Sequence, residues 1–383
     1  MNEIAIGVEA LTEQQVLAVA RHDARVRLSD EARKAIGASR DIIEALADDP
    51  EPHYGISTGF GALATKQIAP GDRVALQRSL IRSHAAGSGP EVEREVVRAL
   101  MLLRLSTLAT GRTGIRLETA ETYAAMLNAG ITPVVYEFGS LGCSGDLAPL
   151  AHCALAAMGE GTVRVGGEVL PAADALAAAG ITPVVLREKE GLSLTNGVDG
   201  MLGMLTLATA DLARLFRTAD LAAAMSVEAQ LGTDAVFAAD LQALRPHPGQ
   251  ADSAANLRAL LADSAIMASH RTGDCTRVQD AYSLRCSPQV HGAGRDTLAH
   301  ARLVRDRELA SAVDNPVVTL DGRVESNGNF HGAPVGTCWT SLPSRPPTSP
   351  RSPSGAPTGF STRPATTVCR RSSPTTPAWT PGT

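Results

Sequence analysis

The chain has 383 residues, of which 44% are hydrophobic, so it is long enough to bury a large core in one or two domains. Its formal net charge of −5 leaves no basic excess of the kind that binds nucleic acid or an anionic membrane surface. The composition therefore excludes these two partner classes and favours a globular protein.

Targeting and redox signals agree with a cytoplasmic location. The N-terminus lacks the basic region and apolar run of a signal peptide, and no apolar segment approaches the roughly twenty residues that span a bilayer. The six cysteines are Cys143, Cys153, Cys275, Cys286, Cys338 and Cys369. They show neither zinc-type pairing nor dense spacing, so we expect free thiols in a reducing cytoplasm.

The N-terminal region is predicted to be helical over residues 9–50. Thr12 begins one helix with a capping-box pattern, and Ser29 begins the next. A glycine-rich loop follows at residues 53–61 and carries Tyr54. A tyrosine in such a loop is usually an amphipathic surface residue, so by itself it indicates no chemistry.

Residues 76–87 form a helical pattern that carries Ser83 and His84 and ends at a glycine. A long apolar periodicity over residues 91–129 predicts further helix. The same short pattern, Gly-Ile-Thr-Pro-Val-Val, then occurs at residues 130–135 and 180–185. We interpret both copies as helix stops followed by extended segments.

Residues 139–152 are the most informative stretch. Three glycines within seven residues exclude regular helix at its start. Because Gly145 has no side chain, its amide nitrogen can approach the carbonyl carbon of Cys143. Loss of water, and of the Ser144 hydroxyl by elimination, would leave an electrophilic ring that no standard side chain provides. Most turns of this composition are ordinary loops, so these residues alone leave both interpretations open.

The remaining chain is predicted to combine a hairpin, a helical bundle and two polar loops. Residues 162–170 indicate a β-hairpin with a Gly-Gly turn. Small and apolar residues at helical spacing over 201–230 and 254–268 are typical of closely packed bundle helices. Polar loops cover residues 277–292 and 326–332.

Five segments together resemble the histidine/phenylalanine ammonia-lyase family. They are the loop at residues 54–61, the glycine turn at 139–152, the segment at 190–197, the loop at 277–292 and the Gly-Asn-Phe-His segment at 328–331. The loop at 54–61 matches every fixed position of the pattern Tyr-Gly-x-x-Thr-Gly-Phe-Gly. Residues 279–289 likewise match Gln-Asp-x-Tyr-Ser-x-Arg-x-x-Pro-Gln throughout.

The resemblance implies a cofactor made from the chain itself. In this family the triplet equivalent to Cys143-Ser144-Gly145 forms a methylidene-imidazolone (MIO) autocatalytically, with no external cofactor and no metal. The usual first residue is alanine. We expect Cys143 to be tolerated because the ring uses only its backbone carbonyl carbon. The resemblance further implies that Tyr54 is the catalytic base.

The resemblance also implies a set of substrate-contacting residues. These are Ser83, His84, Asn196, Gln279, Tyr282, Arg285 and Phe330. The pair Ser83-His84 is similar to that of the histidine-specific members, whereas members acting on other aromatic substrates generally carry Phe-Leu or His-Leu. Arg285 would bind the substrate carboxylate in a bidentate manner, and Phe330 would pack beside the MIO.

The implied reaction is the non-oxidative deamination of L-histidine to trans-urocanate and ammonia, as in histidine degradation. The implied architecture is mainly α: an N-terminal domain over residues 1–200 that bears the MIO turn, then a long-helix bundle over 201–336. The family assembles as a homotetramer whose active sites draw residues from several subunits. Two alternatives remain open: a phenylalanine or tyrosine ammonia-lyase or aminomutase of the same family, and a truncated inactive product.

The resemblance ends near Val335. Residues 336–383 contain no Asp or Glu and are rich in Pro, Ser, Thr and Arg, so we predict a disordered tail over 337–383 that is foreign to the family. Part of this tail can be back-translated so that the neighbouring reading frame gives sequence similar to ammonia-lyases. We therefore expect a frameshift near codon 336, with loss of bundle helices and of a substrate-side glutamate.

Overall fold

The computed structural model describes residues 3–142, 145–271 and 278–342. This part of the chain is mainly helical, which confirms the predicted fold class. The helices are α1 (Glu13–His22), α2 (Asp30–Ala47), α3 (Arg73–His84), α4 (Arg94–Ala109), α5 (Leu117–Asn128), α6 (Leu147–Ala157), α7 (Ala172–Ala178), α8 (Glu190–Thr195), α9 (Asp199–Ala229), α10 (Ala239–Ala243), α11 (Pro248–Leu261), α12 (Ala265–Ser269), α13 (Tyr282–Arg285), α14 (Ser287–Leu309) and α15 (Ala333–Ser341). The strands are β1 (Ile4–Ile6), β2 (Val26–Leu28), β3 (Ser88–Glu91), β4 (Thr132–Pro133), β5 (Tyr136–Phe138), β6 (Thr162–Val165), β7 (Glu168–Pro171), β8 (Val317–Val318) and β9 (Val324–Glu325).

Both predicted helix starts near the N-terminus are confirmed. The Thr12 hydroxyl accepts the Gln15 N–H, and the Gln15 side chain accepts the Thr12 N–H, which completes the capping box of α1. The Ser29 hydroxyl accepts the Ala32 N–H at 3.1 Å and begins α2. Each cap satisfies an N–H group that the helix itself cannot pair.

The strands form small sheets at the edge of the helical body. β1 pairs with β2 in parallel. The antiparallel pairs are β3 with β5, β4 with β6, β6 with β7, and β8 with β9. The predicted hairpin is confirmed as β6 and β7, joined at Gly166 and Gly167, both with positive φ. The first Gly-Ile-Thr-Pro segment contributes β4. Residues 181–185, the second copy, follow the predicted helix stop, since α7 ends at Ala178, but they form no strand.

α4 lies at the centre of the core. Every residue from Val96 to Ala109 is buried, including two arginines. α9 packs against α4, α11 and α14. With 31 residues at a rise of about 1.5 Å each, α9 is about 46 Å long. Residues at the two ends of α9 are therefore too far apart to meet within one chain.

α15 extends the folded part beyond the predicted limit. Residues 337–341, assigned to the tail from the sequence, form the second half of this helix, in which Val335 and Cys338 are buried. The rest of the predicted tail, from residue 343 onward, lies outside the described residues. Within the described ranges, no helix has the length and apolar character needed to cross a membrane. The domain boundaries at 200 and 336 stay predictions.

Candidate active site

Gly145 occupies a position that only glycine can fill. Its φ is +78°, and a Cβ there would overlap the carbonyl oxygen of Gly197 and lie 3.3 Å from that of Phe330. The next residue, Asp146, donates its N–H to the Gly197 oxygen at 2.6 Å. The end of the proposed ring-forming triplet therefore lies directly on the Asn196-Gly197 turn. Cys143 and Ser144 lie outside the described residues.

The segment that carries Phe330 also contacts Gly142, the residue that precedes the ring-forming triplet. The N–H of Gly332 donates to the carbonyl oxygen of Gly142 at 2.8 Å, and Gly142 is bridged to Gly145. Phe330 itself is half-buried. The structure thus brings three predicted site residues together, namely Gly145, Asn196 and Phe330.

Asn196 follows the last residue of α8, and its side chain is hydrogen-bonded to a segment far along the chain. Its Nδ2 donates to the carbonyl oxygen of Asn315 at 2.8 Å. The side-chain oxygen of Asn315 accepts the N–H of Asn327 at 3.0 Å. This chain of amides connects the turn at 196–197 to the segment that leads to Phe330.

A carboxylic acid lies immediately beside the ring-forming triplet. Asp146 is buried; its Oδ1 accepts the Ser140 hydroxyl at 2.6 Å, and its Oδ2 accepts the N–H of Met201 at 2.9 Å in the first turn of α9. Burial raises the pKa of Asp146 to about 6, and Asp199 adds to the increase. The two hydrogen bonds and the helix N-terminus oppose that shift.

The loop that carries Tyr54 packs on α8. A Cβ at Gly55, where φ is +70°, would overlap the Leu192 side chain. The Tyr54 ring lies edge-on to Phe60 with centroids 6.5 Å apart, and it is half-buried. Tyr54 is therefore placed next to the helix that ends at Asn196.

Ser83 and His84 lie at the C-terminal end of α3. Nδ1 of His84 lies 2.9 Å from the Leu80 carbonyl oxygen and 3.0 Å from the Ser83 hydroxyl, which itself donates to the same carbonyl oxygen at 2.8 Å. Because the carbonyl oxygen can only accept, its contact favours the tautomer with the proton on Nδ1. In that tautomer Nε2 is an acceptor.

The end of α3 is connected to the helix that follows Asp146. The N–H of Gly87 donates to Nε2 of His152 at 3.1 Å, and His152 is part of α6. Burial lowers the pKa of His152, which keeps this ring neutral and able to accept. The segment that follows Ser83-His84 is thereby joined to α6, the helix that begins directly after Asp146.

Gln279, Tyr282 and Arg285 are not brought to this cluster. The guanidinium of Arg285 lies 4.7 Å from the centroid of the Tyr282 ring, so these two residues form a local pair. Asp280, which lies in the sequence between Gln279 and Tyr282, accepts the N–H of Thr233 at 2.7 Å. Thr233 follows the C-terminus of α9. The Gly145 cluster lies at the N-terminus of α9, so about 46 Å of helix separates the two groups.

Sequence reasoning missed four buried ionic residues beside the site, which form two pairs. Arg104 bonds to Asp199 at 2.6 Å, and Lys189 bonds to Asp314 at 2.6 Å, with all four side chains at most 6% exposed. A signal was present: Arg104 interrupts an otherwise apolar helical run, and a charge in such a position requires a buried partner. The partner is far along the chain, so no sequence window shows it.

Comparison with known proteins identifies the family of the chain. Residues 11–342 match the family described as aromatic amino acid lyase. The chain is 65% identical over 336 residues to a histidine ammonia-lyase of Streptomyces avermitilis, covering 88% of this chain and 65% of that protein. It is 63% identical over 336 residues to a histidine ammonia-lyase of Streptomyces coelicolor, covering 88% and 65%.

Solved structures of the same fold include both lyases and aminomutases. A tyrosine aminomutase from Streptomyces globisporus has a TM-score of 0.82 at 38% identity, covering 89% of this chain and 67% of that one. A histidine ammonia-lyase from Trypanosoma cruzi has a TM-score of 0.79 at 35% identity, covering 89% and 63%. The chain belongs to the aromatic amino acid lyase family, and it spans about 65% of the length of the similar Streptomyces proteins.

Proposed function

We propose that the protein is a histidine ammonia-lyase, which converts L-histidine to trans-urocanate and ammonia. The observation that carries the proposal is the position of Gly145, whose backbone lies directly on Gly197 and Phe330. The named similarity to histidine ammonia-lyases supports the choice of substrate.

The chain's own residues fit the formation of an MIO. In the proposed closure the nitrogen of Gly145 bonds to the carbonyl carbon of Cys143. The carbonyl oxygen leaves as water with the N–H protons of Gly145 and Ser144. The Ser144 hydroxyl then leaves as a second water with the Cα proton, so no oxidant is required. The fit rests on Gly145, where a side chain would collide with Gly197.

Once formed, the ring supplies an electrophilic methylidene that withdraws electrons from the substrate and assists departure of its amine. The remaining steps belong to side chains. The phenol oxygen of Tyr54 takes the β-proton. The guanidinium of Arg285 binds the carboxylate, and Asn196, Gln279, Tyr282 and Phe330 surround the substrate.

Histidine is favoured over the other substrates by the proton on Nδ1 of His84. In the proposed tautomer Nδ1 donates to the Leu80 oxygen, so Nε2 presents an acceptor. The imidazole of histidine has an N–H to donate, whereas the ring of phenylalanine has none. We therefore expect His84→Leu to reduce kcat/KM for histidine by about tenfold to a hundredfold, with phenylalanine turnover unchanged or increased. Equal losses on both substrates would contradict this role.

The length of α9 supports a site that is completed by more than one chain. Tyr54 and Arg285 belong to groups at opposite ends of this helix, and exposed apolar side chains along it, including Leu221 and Met225, favour burial against other copies. We propose a homotetramer. Mixing Tyr54→Phe with Arg285→Ala chains during refolding is then expected to restore activity at about a quarter of the sites, from random pairing. No restoration would place both residues in one chain's site.

The direct test uses the 383-residue chain, purified and incubated with histidine, phenylalanine and tyrosine. We expect urocanate and ammonia from histidine, and a peptide spanning residues 143–145 that has lost two molecules of water. Ser144→Ala is the control, because it removes the leaving hydroxyl. A peptide of full mass in the wild-type chain would refute the proposal.

Two further points concern whether this chain is active and where it is located in the cell. The alternative of a truncated inactive product rests on residues 343–383, whose composition departs from the family pattern, and it predicts no urocanate from the 383-residue chain. Sequencing the DNA across codons 333–340 decides it, because a single-base shift that restores an acidic, helix-patterned frame identifies a corrupted reading frame. We also propose a cytoplasmic location, supported by the free thiols of Cys153, Cys286 and Cys338 among the described residues.

A further inference from the structure

A buried arginine lies directly beneath the turn that supports Gly145. Arg104 belongs to α4, and its side chain is 0% exposed. Its Nη1 donates to the carbonyl oxygens of Ser193 at 3.0 Å and Asn196 at 2.9 Å. Both carbonyls lie at the C-terminal end of α8, where helix geometry leaves such groups without a partner.

The second nitrogen of the same guanidinium reaches the start of the next helix. Nη2 donates to Oδ2 of Asp199 at 2.6 Å and to the carbonyl oxygen of Val313 at 3.4 Å. A Cβ at Gly197 would overlap this nitrogen, so the Gly197 backbone lies against the guanidinium. One cation therefore fixes the end of α8, the start of α9 and the turn between them.

The position of Gly197 matters because its carbonyl oxygen faces the ring-forming triplet. That oxygen accepts the N–H of Asp146 at 2.6 Å and leaves no room for a side chain at Gly145. A shift of the turn by a fraction of an ångström would release Gly145 from its place. Lysine cannot substitute for Arg104, because a single ammonium does not present donors in a fixed plane.

We propose that Arg104 is a positioning residue for ring closure and for Asn196, acting through the backbone carbonyl oxygen of Asn196 and the backbone of Gly197. The proposal rests on the proposed function, because ring closure and substrate contact by Asn196 are parts of that function. Asp199 compensates the buried charge, and its own carboxyl pKa is raised by burial.

The test compares Arg104→Lys with Arg98→Lys in the 383-residue chain. Arg98 is the matched control: it lies on the same helix, is equally buried, and donates to the carbonyl oxygens of Val19 and Leu127, away from the turn. We expect similar losses of thermal stability in both variants. Ring closure is measured as the loss of two waters from the peptide that spans residues 143–145. We expect its rate to fall at least about tenfold in Arg104→Lys and to stay unchanged in Arg98→Lys.

Two further readouts distinguish positioning from general stability. Exchange of the Asp146 amide is expected to accelerate at least about tenfold in Arg104→Lys, with the Leu150 amide of α6 unchanged. In chains that have closed the ring, kcat for histidine is expected to fall by about tenfold or more while KM changes by less than about threefold. If Arg104→Lys does not fold, Arg104→Gln combined with Asp199→Asn replaces it, since that pair removes both buried charges together.

The outcomes separate the two proposals. Equal ring closure and equal Asp146 exchange in the Arg104 and Arg98 variants would overturn the role of Arg104 and leave the proposed function intact. A wild-type chain that never loses the two waters would overturn the proposed function, and the role of Arg104 with it.

Discussion

Removing the cation of the Lys189–Asp314 pair is expected to destabilise the protein strongly. Nζ of Lys189 lies 2.6 Å from Oδ2 of Asp314, and neither side chain is exposed. The same ammonium donates to the Thr113 carbonyl oxygen at 2.7 Å and to the Ser193 hydroxyl at 3.2 Å. Burial lowers the pKa of Lys189, and Asp314 opposes that shift, so the charge depends on its partner.

Lys189→Met leaves the Asp314 carboxylate buried without its cation. Such a broken pair costs about 3–5 kcal/mol of unfolding free energy. At a few degrees per kcal/mol, the decrease in Tm is on the order of 10 °C. Urea titration and calorimetry measure both quantities. Lys34→Met is the control, because Lys34 is exposed on α2 and its replacement is expected to change stability by about 0.5 kcal/mol or less.

A double-mutant cycle isolates the ionic contribution. Lys189→Met combined with Asp314→Asn removes both charges and is expected to recover at least about half of the loss, because no unpaired charge remains. The reasoning is refuted if Lys189→Met costs no more than Lys34→Met. It is also refuted if the two substitutions are additive.

Two further substitutions probe the ring-forming turn. Burial raises the pKa of Asp146 to about 6, so the folded state binds its proton more tightly than the unfolded state and stability falls as pH rises from about 4 to about 6. Urea titrations are expected to show about 3 kcal/mol of this loss in wild type and none of it in Asp146→Asn; parallel pH profiles would contradict the assignment. Gly145→Ala is expected to prevent the loss of two waters seen by peptide mass spectrometry, whereas Gly142→Ala, with φ +65° and open space for a Cβ, costs only about 1 kcal/mol and permits it.

The features that sequence predicted well are local. The capping box of α1 and the Gly-Gly hairpin of β6 and β7 each involve residues within a few positions of one another. The two Gly-Ile-Thr-Pro segments show the limit of this reasoning. The first pairs with β6 and becomes a strand, and the second has the same residues without such pairing. Strand formation depends on a partner, which the segment itself does not contain.

The sequence motifs predicted which residues belong to the candidate site, but they did not predict where those residues lie relative to one another. The motifs named Gly145, Asn196 and Phe330, and the structure brings them together. The same motifs gave no indication that Arg285 lies at the far end of α9, because spacing in sequence does not state which way a long helix runs. Arg104 was missed for a related reason, since its partner Asp199 is 95 residues away.

The two buried ion pairs explain how a site made from distant segments keeps a fixed shape. Lys189 connects the start of α8 to Asp314, while Arg104 connects its end to the start of α9. Asn196 and Asn315 lie between these connections and bond to each other. A buried pair contributes little net stability compared with apolar packing, but it is costly to break. The chain thus uses buried charges on both sides of a glycine turn, where small residues pack poorly and hydrophobic contacts cannot hold the backbone in place.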